Sequence, residues 1–224
     1  VMESIISNKI NVWRNQPYAA VTDEAAEAMR VLAAKDIASS IHCARVATLC
    51  RNFSMAVGNS DQTTEMYYQA GLVHDIGKLG ISNETLKCPG KLNAGQWEEM
   101  RRHSELGVEF LEKIYGNRAD MTMSNLWFLN IKSAVLYHHE RWDGSGYPMG
   151  LVGEGIPYLA RVIAVFDSID AMLSNRVYRK AMTEEMCIQE LVDNARRMYD
   201  PGIIQKVLEN WDKIVGGVYS DVHQ

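Results

Sequence analysis

The stretch Tyr158-Leu159-Ala160-Arg161-Val162-Ile163-Ala164-Val165-Phe166-Asp167-Ser168-Ile169-Asp170-Ala171-Met172-Leu173-Ser174 decides the fold. Leu159, Val162, Ile163, Phe166, Ile169 and Leu173 leave it apolar almost all round, which is the pattern of a helix buried at the centre of a domain. Asp167 and Asp170 are conspicuous there, because an acid in a central helix needs a partner or a cation. On either side of this segment helical periodicity dominates and no convincing strand alternation occurs, so the domain is read as all-α.

Thr22 is a plausible N-cap for a helix running through Ala34, and a second helical stretch carries His42, Val46 and Leu49. Ser60 or Asp61 opens the next helix, which runs to His74-Asp75 near Gly77. Asn93 with Gln96 three residues on resembles a capping box and starts a helix expected to contain His103. Met121 to His139 reads as one long helix. Residues 140–157 hold five glycines together with Pro148 and Pro157, and read as loop. Thr183 caps a further helix, and Asp200-Pro201 begins what is read as the last one, since proline suits a first helical position. Trp97, Trp127 and Trp211 read as packing residues on helices.

With 224 residues, 47% of them apolar, the chain can bury a core without disulfides. Cys43, Cys50, Cys88 and Cys187 show no pairing or framework spacing, which points to a reducing compartment and a cytoplasmic location. No apolar run approaches the roughly 18 residues of a membrane span, and no secretory leader pattern opens the chain. The first residue is Val1, which suggests a piece of a longer protein. Residues 1–21 are read as linker or remnant of an upstream module, and 22–224 as the functional domain. A net charge of -5 argues against binding to polymeric nucleic acid. An anionic small substrate stays open, because a bound metal can dominate a pocket's field.

The chemistry is concentrated in two segments, His74-Asp75-Ile76-Gly77-Lys78 and His138-His139-Glu140-Arg141-Trp142-Asp143-Gly144-Ser145-Gly146-Tyr147-Pro148. Adjacent helical side chains diverge by about 100°, so His138-His139 can serve two edges of one cluster. The same geometry puts the His74 imidazole beside the Asp75 carboxylate. A carboxylate can bridge two cations and an imidazole cannot, so Asp75 is the natural bridging ligand of a dinuclear site. Mixed His and Asp donors suit Fe, Mn, Ni, Co or Zn. Two such ions roughly 4 Å apart would activate water and clamp a phosphoester. Lys78, four residues after His74, is expected to share its helix face and to hold a phosphate oxygen.

These two segments resemble the paired signatures of the HD-GYP domain family, a subgroup of the HD phosphohydrolases that degrades the bacterial messenger cyclic di-GMP. The resemblance runs over about residues 36 to 210 and includes Ala160 to Asp167 and Tyr199-Asp200-Pro201. It implies an HD-domain helical bundle with a Gly-rich signature loop between helices. It also implies metal ligands at His42, His74, Asp75, His103, His138, His139 and Asp167, with His74, Asp75 and Lys78 carrying the reaction. Lys78, Arg176, Arg179, Gly146 and Tyr147 fall on positions that approach the nucleotide. Trp142 is left as base-stacking platform or loop anchor, and Glu140 and Asp143 as positioning residues or plain loop polar groups. Family members with three metals carry a glutamate where this chain has Ala38. Alanine cannot ligate, and Asp36 stands too far before His42 to substitute on a straight helix, so two ions are expected, Fe or Mn foremost and Ni, Co or Zn as alternatives.

The function implied is hydrolysis of cyclic di-GMP to linear pGpG through a metal-bridging hydroxide, with further cleavage to GMP left open. The alternatives are a phosphodiesterase for a related cyclic dinucleotide such as 3′3′-cyclic GMP-AMP, a non-catalytic module that binds ligand or a diguanylate cyclase, and a mononucleotide-directed HD nucleotidase. The implied partners are the cyclic dinucleotide, an upstream sensor or regulatory domain, and diguanylate cyclases.

Overall fold

The computed structural model describes residues 23–115, 124–175 and 180–219. Within them the chain forms α1 (Asp23–Lys35), α2 (Ile37–Ala56), α3 (Asp61–Val73), α4 (Asn83–Leu86), α5 (Ala94–Arg101), α6 (His103–Tyr115), α7 (Ser124–Tyr137), α8 (Tyr158–Leu173), α9 (Glu184–Asp193), α10 (Pro201–Glu209) and α11 (Trp211–Val215). Single 3-10 turns span Ile76–Gly80 and Gly153–Gly155. Among the described residues there is no strand, only the isolated bridges Asp143–Val152 and Ala195–Tyr199. The expected all-α bundle, with a Gly-rich loop between α7 and α8, is the observed architecture.

Helix α8 is central, as its composition requires. It packs against α2, α3, α7, α9 and α10, and Ile163, Phe166 and Ile169 are fully buried. Phe53 of α2 meets Phe166 with ring centroids 5.4 Å apart and stacks on Tyr67 of α3 at 6.5 Å. Three helices therefore converge on one aromatic ring. Most expected starts are built as the sequence suggests. The Ser60 side chain accepts from the Thr63 N–H, Thr183 from Met186, and Asp200 from Gly202 and Ile203 behind Pro201. Asn93 and Gln96 form the reciprocal capping box. Thr22, and residues 121–123 of the helix expected from Met121, lie outside the described residues.

Four expectations need correction. The helix opened by Asn93 does not contain His103: α5 ends at Arg101 and α6 starts at His103. The His103 ring Nδ1 donates to the Met100 carbonyl at 2.6 Å, so a side chain takes an acceptor that a continuing helix would have used. Lys78 does not share a helix face with His74, because α3 ends at Val73 and Lys78 sits in the 3-10 turn. The His74 Nδ1 bond to the Gly71 carbonyl, 2.7 Å, ends α3 in the same way. Asp200-Pro201 does not begin the last helix, since α10 breaks at Asn210 and α11 buries Trp211. Trp211 and the partly buried Trp127 pack as expected, but Trp97 is 51% exposed, because α5 lies on the surface and buries none of its residues.

Truncating Phe53 to Ala is expected to cost about 3–5 kcal/mol of stability, the usual range for a buried aromatic. Denaturant titration at unchanged m-value measures it. A loss below about 1 kcal/mol would show that α2, α3 and α8 do not depend on this ring.

Candidate metal centre

Five elements bring their polar side chains to one point. Helix α2 supplies His42, the end of α3 supplies His74 and Asp75, the start of α6 supplies His103, the end of α7 supplies His138 and His139, and α8 supplies Asp167. The turn carrying Asp75 reaches α6 because residue 77 is glycine. A Cβ there would lie 1.8 Å from the His103 carbonyl oxygen and 2.5 Å from the Gly107 nitrogen. No side chain could occupy that contact, so Gly77 sets how closely Asp75 approaches His103.

Asp75 is 3% exposed and its two oxygens face different neighbours. Oδ1 lies 3.3 Å from His103 Nε2 and 4.0 Å from His138 Nε2. Oδ2 lies 3.5 Å from His74 Nε2, 3.7 Å from His42 Nε2 and 2.5 Å from Lys78 Nζ. His139 Nε2 stands 3.1 Å from His103 Nε2. The donor atoms fall into two groups that share this acid: Asp75, His103, His138 and His139, and His42, His74 and Asp75. Asp167 meets His42 Nε2 at 3.1 Å and lies outside both groups. All seven candidate ligands are thus gathered at one centre.

The imidazoles are prepared for a cation. His74, His103 and His138 donate Nδ1–H to the carbonyls of Gly71, Met100 and Val135 at 2.6–2.8 Å. Each Nε2 is then a bare acceptor turned inward. His103 Nε2 lies 3.4 Å from His138 Nε2, and His74 Nε2 is buried without a hydrogen-bond partner among the described residues. An unmatched buried polar atom costs about 1–3 kcal/mol, and lone pairs that face one another repel. A divalent ion resolves both, so the donor set fits first-row metals.

The electrostatics agree for four of the five rings. Burial lowers the pKa of His74, His103 and His138, and together with His103 it pushes His139 down to about 3, so these rings are neutral at pH 7 as ligation requires. Burial also lowers His42, but Asp167 and Asp170 outweigh it and raise this ring to about 9. Burial opposes ionisation of Asp75, yet Lys78 and then His74, His103 and His42 hold it well below the usual carboxylate range.

The loop forms one wall. Glu140, 3% exposed, accepts from the Met149 and Leu151 N–H groups at 2.7 and 3.1 Å and closes the loop on itself. A Cβ on Gly146 would lie 2.4 Å from the Arg141 nitrogen, so this glycine serves close approach, while positive φ falls on Gly144, Gly150 and Gly153. Tyr147 donates its N–H to the His139 carbonyl, and its ring stacks on the His139 ring at 4.8 Å. The Trp142 N–H bonds Met198, and its ring faces Arg161, so its contacts are those of a loop anchor. Asp143 is exposed and turns onto Ser145. Asp36 spends its carboxylate on capping α2 at Ala38 and Ser39, and Ala38 is exposed. Arg176 and Arg179 lie outside the described residues.

Two contacts of this centre were missed by sequence reasoning. Arg101 of α5 lies over the Tyr147 ring, 5.3 Å from its centroid. Asp170 accepts from His42 Nδ1 at 2.7 Å and from Arg45. The spacing carried a signal for the second: Arg45 follows His42 by three residues and Asp170 follows Asp167 by three, so each pair shares a helix face.

Comparison with known proteins agrees with this geometry. A family model described as HD domain matches residues 27–203. The 3′3′-cGAMP-specific phosphodiesterase 2 of Vibrio cholerae is 35% identical over 174 residues, which cover 78% of this chain and 32% of that protein. A cyclic di-GMP phosphodiesterase response regulator of Xanthomonas campestris is 34% identical over 180 residues, covering 80% and 45%. A cyclic di-GMP phosphodiesterase of Thermotoga maritima is 34% identical over 187 residues, covering 83% and 48%. The chain therefore spans about a third to a half of the length of these curated relatives. A crystal structure of a cyclic GMP-AMP phosphodiesterase from V. cholerae superposes with a TM-score of 0.51 at 16% identity, over 81% of this chain and 47% of that one, and so shares the fold.

Replacing Asp75 by Ala should abolish metal retention in both groups, whereas His103→Ala should affect one. Elemental analysis of folded, anaerobically purified variants measures this; full metal content in Asp75→Ala would exclude a shared carboxylate.

Proposed function

This chain belongs to the HD domain family, and on that footing we propose that it is a metal-dependent phosphodiesterase that opens cyclic di-GMP to linear pGpG. The observation that carries the reading is the Asp75 carboxylate with one oxygen toward each histidine group. Such an arrangement suits two divalent ions, Fe or Mn foremost and Ni, Co or Zn as alternatives. Bound there, the ions would activate water and neutralise charge on the phosphoryl oxygens.

His42, His74, His103, His138, His139, Asp75 and Asp167 would hold the ions. Lys78, fixed by its contact with Asp75, would present its remaining N–H groups to a phosphoryl oxygen. Tyr147 and Gly146 would line the wall against which the dinucleotide rests, with Arg176 and Arg179 as further contacts. Water adds to one phosphorus and the P–O3′ bond breaks, leaving a 5′-phosphate and a 3′-hydroxyl. The intact Gly146-Tyr147-Pro148 signature loop supports a cyclic dinucleotide over a mononucleotide.

The relatives' names divide between two substrates, which supports 3′3′-cyclic GMP-AMP as the second reading. Residues 22–224 would form the catalytic domain, with 1–21 leading from an upstream sensor and with diguanylate cyclases as partners. Among the described residues no helix is long and apolar enough to cross a membrane, and the scattered free thiols support a cytoplasmic setting.

Chromatography of both cyclic dinucleotides incubated with one metal-loaded preparation tests the proposal. The expected result is pGpG from cyclic di-GMP, and faster turnover of cyclic GMP-AMP would select the second reading. Lys78→Ala should lower kcat/KM about tenfold or more, the loss of one charge-assisted hydrogen bond. Inertness toward both substrates with the metals bound would leave a ligand- or cyclase-binding module.

A further inference from the structure

Three of the four histidines with an assigned Nδ1 contact lean on the carbonyl three residues back in the chain. His42 differs. Its Nδ1 meets the Asp170 carboxylate from another helix at 2.7 Å. Asp170 is 1% exposed and held from several sides. Arg45 donates to both of its oxygens, the Tyr219 hydroxyl donates to Oδ1 at 3.0 Å, and the Ser174 hydroxyl lies 3.4 Å from the same oxygen. So clamped, the carboxylate can neither rotate away from His42 nor exchange it for water.

The two donor groups therefore differ in kind. One sets three imidazoles against the shared Asp75. The other has two imidazoles and Asp75, with Asp167 beside His42 and Asp170 behind it. A carboxylate behind an imidazole fixes its tautomer and ring plane and makes the inward nitrogen a stronger donor than a carbonyl does. We propose that Asp170 is a positioning residue that sets His42 and makes the His42–His74–Asp75 group the tighter of the two metal subsites. This rests on the metal-centre reading above. It adds an order to that centre: the subsite backed by Asp170 fills first, and the three-histidine subsite fills second.

Calorimetric titration of Mn2+ alone into metal-free protein tests it. The parent protein should bind in two phases, and His42→Ala identifies the tighter one by its loss. Asp170→Asn should weaken that same phase by roughly ten- to a hundredfold and leave the other in place. Equal weakening of both phases by Asp170→Asn would mark it as a packing node and overturn the proposal, as would unchanged binding. Fewer than two phases in the parent would overturn the two-ion reading and the proposal with it. Should Asp170→Asn melt below the assay temperature, Arg45→Gln loosens the same carboxylate without removing it. It should weaken the tight phase alone, and unaltered binding in that variant also overturns the proposal.

Discussion

The centre depends on one buried carboxylate. Removing the charge of Asp75 from water is expensive, and a buried ion persists only when its lone pairs are matched. Here Lys78 donates to it, while the bare nitrogens of His74, His103 and His138 face it and leave the remaining match to a cation. That condition constrains the backbone as well as the side chains. α2, the end of α3, the start of α6 and the end of α7 must all reach Asp75, and the short connections around Gly77 and Arg102 follow from it.

The histidines take up their orientation toward Asp75 by ending helices. A ring that captures the carbonyl three residues back uses an acceptor left over at a helix end. It fixes its own tautomer in the same contact. His74, His103 and His138 all do this, so helix termination and the orientation of these candidate ligands are one event. The same coupling explains why the reading of a single helix through His103 fails: capping preferences show where a helix starts, but not that a ligand side chain will interrupt it.

The signature loop adds a wall to the centre without adding candidate ligands beyond His138 and His139. Glu140 is buried to hold two loop N–H groups, and Gly146 is small because the backbone of residues 139–141 passes against it. The result is a wall with Tyr147 on the His139 ring.

Much was legible in the sequence because it is local chemistry. The all-α class followed from hydrophobic period, and the central place of α8 from an apolar surface with no polar face. Four of the seven candidate ligands stand in the two specific segments, and His42, His103 and Asp167 were added by the family resemblance. Most helix starts were legible because a cap needs only a neighbour two or three residues away. What stands across space was not. Which oxygen of Asp75 faces which histidines, where Lys78 points, and that Asp170 stands behind His42 are decided where helices meet. That meeting is set by the packing of Phe53 between α2, α3 and α8 and by the close contact at Gly77. Spacing along the chain places residues on the face of one helix; only tertiary packing brings the faces of different helices together.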